Sequence, residues 1–153
     1  MIDDVEKVIR AYLPEIIHLS LATSQDNIPW SSELHYVYDN DLNIYFRSLP
    51  SRRHSVEIRA NPKVSGSIMK QHVVGEAPRG IYFVGEASEL ANVDNLHPAY
   101  IEYGKRFGTN ESILEEAKKP DGHKFYKISV QTFYLFDGKE SNPGKKYELA
   151  WNR

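Results

Sequence analysis

A cluster of basic side chains follows a strand-like run in the first half of the chain and marks a potential anion-binding site. The run Tyr45–Ser48 ends at a short turn that contains Pro50. Arg52, Arg53 and His54 follow, where the next helix is predicted to begin. Free backbone N–H groups and the helix dipole favour an anion there, and an arginine guanidinium matches the geometry of phosphate oxygens. The segment is therefore predicted to bind a phosphate group.

The positive charge of this region is local rather than a property of the whole chain. Five Lys or Arg residues and one acid lie between positions 47 and 63, whereas the 153-residue chain has a formal net charge of -2. The alternative interpretation is a solvated helix face on which Arg53 and Glu57 form an ion pair across one turn. The spacing alone leaves both interpretations open.

The sequence lacks the common catalytic arrangements. It contains no cysteine, which excludes disulfides, Cys-ligated zinc, iron–sulfur clusters and thiol catalysis. It has no glycine-rich dinucleotide or phosphate loop, no His-Glu-x-x-His and no Gly-x-Ser-x-Gly. The six histidines are not spaced as paired metal ligands, and Glu115 and Glu116 are interpreted as members of a solvated helix face. An anion site and many aromatic residues, without a catalytic constellation, indicate chemistry supplied by a bound cofactor.

Length and composition are typical of one globular domain, residues 1–153. A mildly acidic chain is not expected to bind nucleic acid, which usually requires a basic field over one face. No apolar run approaches the length of a membrane span, and the acidic N-terminal residues do not resemble a signal peptide. We expect a cytoplasmic protein without a membrane or nucleic-acid partner.

The positions of turn residues and β-branched or aromatic runs predict a mainly β protein with flanking helices, an α+β fold. Asp3 and Asp4 are expected to cap a first helix that ends at Pro14. Strands are predicted at 16–23, 30–38, 42–48, 64–69, 80–90, 125–136 and 147–151, and further helices at 51–60, 97–107 and 111–118. Helices do not alternate with every strand, so antiparallel pairing in a barrel or strongly curled sheet is expected, since closure removes exposed edges.

Several short motifs occur in a recognisable order between about residues 16 and 90. They are Leu19–Thr23, Pro29–Leu34, Leu42–Phe46, Arg53-His54, Asn61–Val64, Arg79-Gly80 and Phe83–Ala87. Together these motifs resemble the pyridoxamine 5′-phosphate oxidase-like family of FMN-binding split barrels. The resemblance implies a six-stranded antiparallel split β-barrel and a homodimer that holds FMN between its subunits.

The resemblance also assigns residues to the phosphate end of FMN. The Ser/Thr-Arg-Lys triplet that binds phosphate in the family falls on Arg52, Arg53 and His54. Arg53 keeps the guanidinium. Arg52 replaces a hydroxyl residue, although its charge suits a phosphate, and His54 replaces the lysine and would donate from a ring nitrogen. Arg47 and Ser48 fall on a segment that contacts phosphate or the ribityl chain.

The family pattern places the flavin ring against two further segments. The backbone of Ser32, Glu33 and Leu34 matches the strand that lies along the isoalloxazine ring and pairs with its polar edge. Arg79 and Gly80 begin the strand that approaches the flavin.

The resemblance predicts a flavin-dependent oxidoreductase that acts on a small molecule, with Trp151 among the aromatic residues that exclude water from the ring. The C-terminal segment does not match the Arg-x-His substrate motif of the vitamin oxidases, so oxidation of pyridoxamine phosphate is not expected. Two alternatives are a binding or sensing module that holds a deazaflavin or haem, and a scaffold that has lost its cofactor.

Overall fold

Helices and an antiparallel sheet make up the computed structural model of this chain, which describes residues 4–108, 110–139 and 144–151. The helices are α1 (Val5–Tyr12), α2 (Arg53–Ala60), α3 (Pro98–Phe107) and α4 (Ser112–Lys118). The strands are β1 (His18–Gln25), β2 (Ile28–His35), β3 (Val37–Tyr38), β4 (Ile44–Ser48), β5 (Lys63–Met69), β6 (Arg79–Glu89), β7 (Lys124–Asp137) and β8 (Lys145–Ala150). No helix in these ranges is long and apolar enough to cross a membrane.

The strands form one antiparallel sheet in the order β2-β1-β5-β6-β7-β4-β3, with β8 paired to β7. The β1–β2 hairpin turns at Asp26 and Asn27, whose φ angles are 52° and 66°. Gln25 pairs with Ile28, so the connection is the tight two-residue turn that asparagine and aspartate tolerate. The predicted antiparallel split barrel is confirmed, and its sheet has eight strands in the described residues where the resemblance implies six.

The predicted strand 30–38 is interrupted at Tyr36, which separates β2 from β3. Its backbone N–H bonds the carbonyl of Ile17 in the register of the β1–β2 pair, and its buried hydroxyl donates to the carbonyl of Leu13. The α3 residue Arg106 donates to the carbonyls of Ile16 and Tyr36, both at 3.0 Å. Backbone groups at the end of β2 are thus satisfied by other parts of the fold, and this fixes α3 against the barrel.

Helix α1 covers one part of the barrel because its apolar stripe faces the sheet. The Asp4 carboxylate caps it by accepting from the Lys7 N–H at 3.0 Å, as predicted, whereas Asp3 lies outside the described residues. The buried residues of α1 are Ile9 and Tyr12, and a 3-10 turn, Leu13–Glu15, leads into β1.

Two apolar clusters hold these layers together. The larger one fills the barrel and contains the fully buried rings of Phe46, Phe83, Tyr126 and Phe133. The smaller one packs α3 and α4 against the outside of the sheet, and its buried members are Val37, Tyr45, Ala99, Tyr100 and Phe125. This second cluster positions the helices that form one wall of the site described next.

Candidate functional site

A cleft of about 680 Å³ lies between the sheet and helix α3. Its lining residues come from five separate segments: His18 of β1, Glu33, Leu34 and His35 of β2, Arg47 of β4, Tyr103 of α3, and His123 just before β7. The structure therefore brings three of the sequence-predicted site residues together, namely Glu33, Leu34 and Arg47.

Arg47 is the main cation of this cleft, and its side chain is only 14% exposed. The guanidinium lies 5.4 Å from the centre of the Tyr103 ring and 5.6 Å from that of Phe125, and its Nη2 donates to the Glu116 carboxylate at 3.0 Å. Its Nε is buried and has no hydrogen-bond partner among the described residues. A guanidinium held so firmly at the wall of a cleft suits an oxygen-rich or anionic ligand.

Glu116 also holds His123, and this pair was not predicted from the sequence. The carboxylate oxygen Oε1 lies 2.6 Å from His123 Nδ1 and also accepts the His123 backbone N–H at 3.3 Å. Hydrogen bonding from His123, together with the charge of Arg47, lowers the pKa of Glu116 below its ordinary value. The interpretation of Glu116 as part of a solvated helix face is wrong, because its two oxygens bind groups from β4 and from the segment before β7.

His54 lies in the first turn of α2 and is buried. Its Nε2 lies 2.7 Å from the Ser48 hydroxyl, and its Nδ1 lies 3.4 Å from that of Ser32. Burial and the nearby charge of Arg52 lower the pKa of His54. Three predicted site residues therefore meet, but here His54 is a neutral contact between strands β2 and β4. A direct bond from His54 to a phosphate stays a prediction.

Arg53 combines features of both interpretations of the basic cluster. Its Nε donates to Glu57 at 2.9 Å, which is the i,i+4 pair, yet the Glu57 carboxylate is buried and also accepts from the Thr23 hydroxyl at 2.8 Å. The guanidinium stacks 4.2 Å from the centre of the Trp30 ring. Its two Nη atoms have no hydrogen-bond partner within the described residues. Arg52 caps the helix with its backbone, and its side chain makes no capping hydrogen bond.

Arg79 and Gly80 lie away from the cleft within one chain. The Arg79 Nη2 donates to the buried Asp137 at 2.7 Å, and this pair marks one end of the β6–β7 ladder. Arg47 pairs with Phe125 near the opposite end of β7. Within one chain, Arg79 and Gly80 do not line this cleft. Their contact with a flavin stays a prediction.

Trp151 is part of the core rather than of the cleft wall. Its Nε1 donates to the carbonyl of Asp41 at 2.7 Å, and its ring packs edge-on against Phe133 with centroids 6.0 Å apart. The side chain is 5% exposed and supports the junction of β8 with β7. Its predicted role as a water-excluding residue beside the ring stays untested.

An antiparallel sheet curled so that β2 and β4 meet around one histidine, with helices outside, defines a split barrel. The chain matches the family model described as pyridoxamine 5′-phosphate oxidase over residues 5–137, and it belongs to that family.

Three further proteins are similar to this chain at low sequence identity. A UPF0306 protein of Pasteurella multocida is 28% identical over 72 residues, which are 46% of this chain and 48% of that protein, so the match spans about half the relative's length. A haem-binding protein from Mycobacterium smegmatis superposes with a TM-score of 0.77 at 14% identity, covering 99% of this chain and 60% of that one. An FAD-binding protein from Mesorhizobium loti superposes with a TM-score of 0.58 at 22% identity, covering 83% and 88%. At these identities the similarity to both structures shows the shared fold.

Proposed function

We propose that this chain binds FMN along strand β2 and in the Arg47 cleft, and that it is a flavin-dependent oxidoreductase acting on a small molecule. The observation that carries the proposal is the juxtaposition, in one cleft, of the held guanidinium of Arg47 with Glu33 and Leu34 of an end strand. A ligand with an anionic end and a polar ring edge is complementary to both features.

The end strand offers a backbone pattern suited to a flavin ring. In the described sheet β2 pairs with β1 on one side and lies at the end of the strand order. The N–H and C=O groups of alternate residues on its open side are therefore free of ladder bonds. The polar edge of isoalloxazine alternates acceptor, donor and acceptor, which such a series of N–H and C=O groups can match.

The contacts along β2 extend from the basic cluster to the cleft. Arg53 lies on Trp30, His54 reaches Ser32, and the cleft begins at Glu33. At about 3.3 Å per residue, the strand from Trp30 to Leu34 spans roughly 13 Å. In this proposal Arg53 holds the phosphate, Arg47 binds phosphate or ribityl oxygens, and the β2 backbone holds the ring.

The chemistry of the reaction would come from the cofactor, since a bound flavin supplies a group that accepts or donates a hydride or an electron. The protein would position the cofactor and limit its contact with water. The rings of Tyr103 and Phe125 contact the Arg47 guanidinium and reduce its exposure to water. An electrostatic interaction with a bound anion is strengthened in such a partly dry site.

We further propose that the protein works as a homodimer. Apolar side chains remain exposed on β2 and on the neighbouring helix α2, with Ile28 58%, Trp30 41% and Val56 41% accessible. A second copy on this face would cover them and would enclose a ligand lying along β2.

A reducing compartment such as the cytoplasm suits a chain without cysteine.

Haem is a second candidate ligand because three histidines, His18, His35 and His123, line the same cleft. A haem iron needs one or two protein ligands, since the porphyrin supplies the others. His123 Nδ1 bonded to a carboxylate is also the arrangement that orients histidine ligands in many metal sites. The described residues contain no group of three or more His, Cys, Asp or Glu that would hold a bare metal ion. A haem-bound form would be a binding or sensing module.

The experiment that tests the proposal is the absorbance spectrum of the protein as purified, followed by titration of ligand-free protein with FMN, a deazaflavin and haemin in parallel. FMN binding with reduction of the bound flavin by NADH or NADPH would support the oxidoreductase. Binding of haemin alone would favour the second candidate. Failure to bind any of the three would contradict both candidates and would favour the alternative of a scaffold that has lost its cofactor.

A further inference from the structure

The Glu116–His123 pair gives the cleft a side chain able to move a proton. We infer that His123 is the general base of this cleft and that Glu116 positions it, so that Nε2 takes a proton from a bound small molecule. The inference rests on the proposed function only in that the substrate is taken to bind in the same cleft. His123 would be the catalytic residue and Glu116 the positioning residue.

The proton of the His123 ring is on Nδ1, the nitrogen that faces Glu116. An ionised carboxylate has no proton to donate, and the pKa of Glu116 is lowered by the hydrogen bond from His123. The 2.6 Å contact between Glu116 Oε1 and His123 Nδ1 therefore requires the proton to be on Nδ1, an assignment made from the partner's chemistry. A neutral imidazole has one N–H, so Nε2 is left with the basic lone pair.

Contacts on three sides of the Glu116 carboxylate hold this arrangement in place. Arg47 binds its Oε2 at 3.0 Å, while the ring and the backbone N–H of His123 share Oε1. The chain reaches this geometry because Gly122 passes directly against the Glu116 backbone carbonyl, where an added Cβ would collide. A glycine immediately before the histidine therefore allows the close approach.

The opposite nitrogen of the ring is available to a ligand. His123 is 43% exposed and lines the cleft, and its Nε2 makes no hydrogen bond within the described residues. Other titratable or charged groups facing the same cleft are His18 of β1, Glu33 and His35 of β2, Arg47 of β4 and Tyr103 of α3. Arg47 is the cation among them, and it lies on the Glu116 side of the ring, away from Nε2 as a hydrogen-bond partner.

A purely stabilising surface pair explains this arrangement less well. Exposed ion pairs contribute little to stability, and both Glu116 and His123 keep more than a third of their side-chain surface. The Arg47 guanidinium, which is only 14% exposed, binds the second Glu116 oxygen, so the carboxylate is held at both oxygens while His123 lines the cleft. The geometry instead matches a nitrogen base oriented by a carboxylate.

The step assigned to His123 is a proton transfer alone. The O–H or N–H bond of a small hydroxyl- or amine-bearing molecule breaks, and its electron pair stays on the oxygen or nitrogen. The proton forms the N–H bond at Nε2, and the resulting imidazolium later releases a proton to water. The substrate class is thus a small alcohol or amine whose O–H or N–H group reaches Nε2.

The first test measures the tautomer in the protein as purified. Two-bond ¹H–¹⁵N correlation spectra should show neutral His123 with its proton on Nδ1. Glu116→Ala should move that proton to Nε2 in a large fraction of molecules, while Glu115→Ala, which removes the neighbouring exposed carboxylate paired with Lys118, should leave the spectrum unchanged. A wild-type spectrum with the proton on Nε2 would overturn the inference.

The second test measures the access of ligands to the basic nitrogen. Diethyl pyrocarbonate should modify His123 at least several-fold faster than His54, whose two ring nitrogens contact serine hydroxyls, and His123 should stay reactive with FMN bound. Equal rates at the two histidines, or complete shielding of His123 by FMN, would overturn the role in the cleft. If FMN does not bind, the proposed function fails while the tautomer and the relative rates still decide the inference.

Discussion

The Nε2 atom of His54 lies 2.7 Å from the hydroxyl oxygen of Ser48, in a buried contact that joins the first turn of α2 to the last residue of β4. The other ring nitrogen reaches Ser32 of β2 at 3.4 Å. Because β2 is the first strand of the order and β4 is next to the last, one imidazole connects the two sides of the barrel opening. Its neutral state is therefore coupled to the closure of the sheet.

The first prediction concerns this histidine and pH. Burial lowers the pKa of His54 below its ordinary value of 6.5, so the unfolded chain binds the proton more tightly than the folded one. The contribution to stability is present above pH 6.5 and is lost as pH falls from 6.5 through the folded-state pKa. Urea unfolding at several pH values should show this loss in wild-type protein and not in His54→Gln.

A matched variant distinguishes His54 from the other histidines. His72→Gln changes an exposed side chain and should keep the wild-type pH dependence. At pH 7.5, His54→Ala should lower the free energy of unfolding by about 1–3 kcal/mol, the usual effect of leaving buried hydroxyl partners unsatisfied. An unchanged pH dependence in His54→Gln would contradict the coupling.

The second prediction separates the stabilising and binding roles of Arg53. Arg53→Ala removes the main partner of the buried Glu57 carboxylate, so it should reduce stability at neutral pH by about 1 kcal/mol, a value reduced because Arg53 is half exposed. It should also weaken FMN binding by about 1.5–3 kcal/mol, the range for a hydrogen bond to a charged group. Denaturation and FMN titration measure the two effects independently.

Glu57→Gln provides the comparison, because it breaks the ion pair while the Arg53 guanidinium remains. We expect reduced stability with FMN affinity largely retained, and we expect FMN affinity to fall with added salt in the wild type. The exposed Arg59, which donates to the carbonyl of Pro50, is the control: Arg59→Ala should alter neither property strongly. Full FMN affinity in Arg53→Ala would show that the helix face is structural only.

The third prediction concerns Arg47 in the cleft. Arg47→Met keeps an apolar side chain between Tyr103 and Phe125 but removes the charge, so the fold should survive while FMN affinity falls by about 1.5–3 kcal/mol. Isothermal titration calorimetry with FMN and with riboflavin, which lacks the phosphate, locates the contact. A loss for both ligands would place Arg47 at the ribityl chain, whereas a loss for FMN alone would place it at the phosphate.

The fourth prediction concerns assembly. A homodimer should elute with an apparent mass near twice the 17.6 kDa of the chain. Trp30→Glu places a charge on the exposed β2 surface and should shift the protein to monomers and weaken FMN binding. Val74→Glu changes a more exposed apolar residue in the β5–β6 connection and should leave the mass unchanged. A wild-type monomer at micromolar concentration would contradict the inter-subunit site.

Most of the secondary structure follows from local features of the sequence. The Asp26–Asn27 turn, the helix that follows Pro50, and the strand pair on either side of residues 70–78 were all predicted close to their observed limits. Turn residues, prolines and the period of apolar side chains act over a few positions, so the sequence alone determines them. The resemblance of the ordered motifs added the split barrel, which the family match confirms.

The tertiary structure alone decided which chemical groups meet. Arg47 and Glu116 are 69 residues apart, and His123 follows Glu116 across a turn that Gly122 tightens, so no local spacing indicates their contact. The same holds for His54, whose two serine partners come from β2 and β4, which have four strands between them in the sheet order. Local pattern reports which face of an element is buried, whereas contacts between distant side chains depend on how the sheet closes and where the helices pack on it.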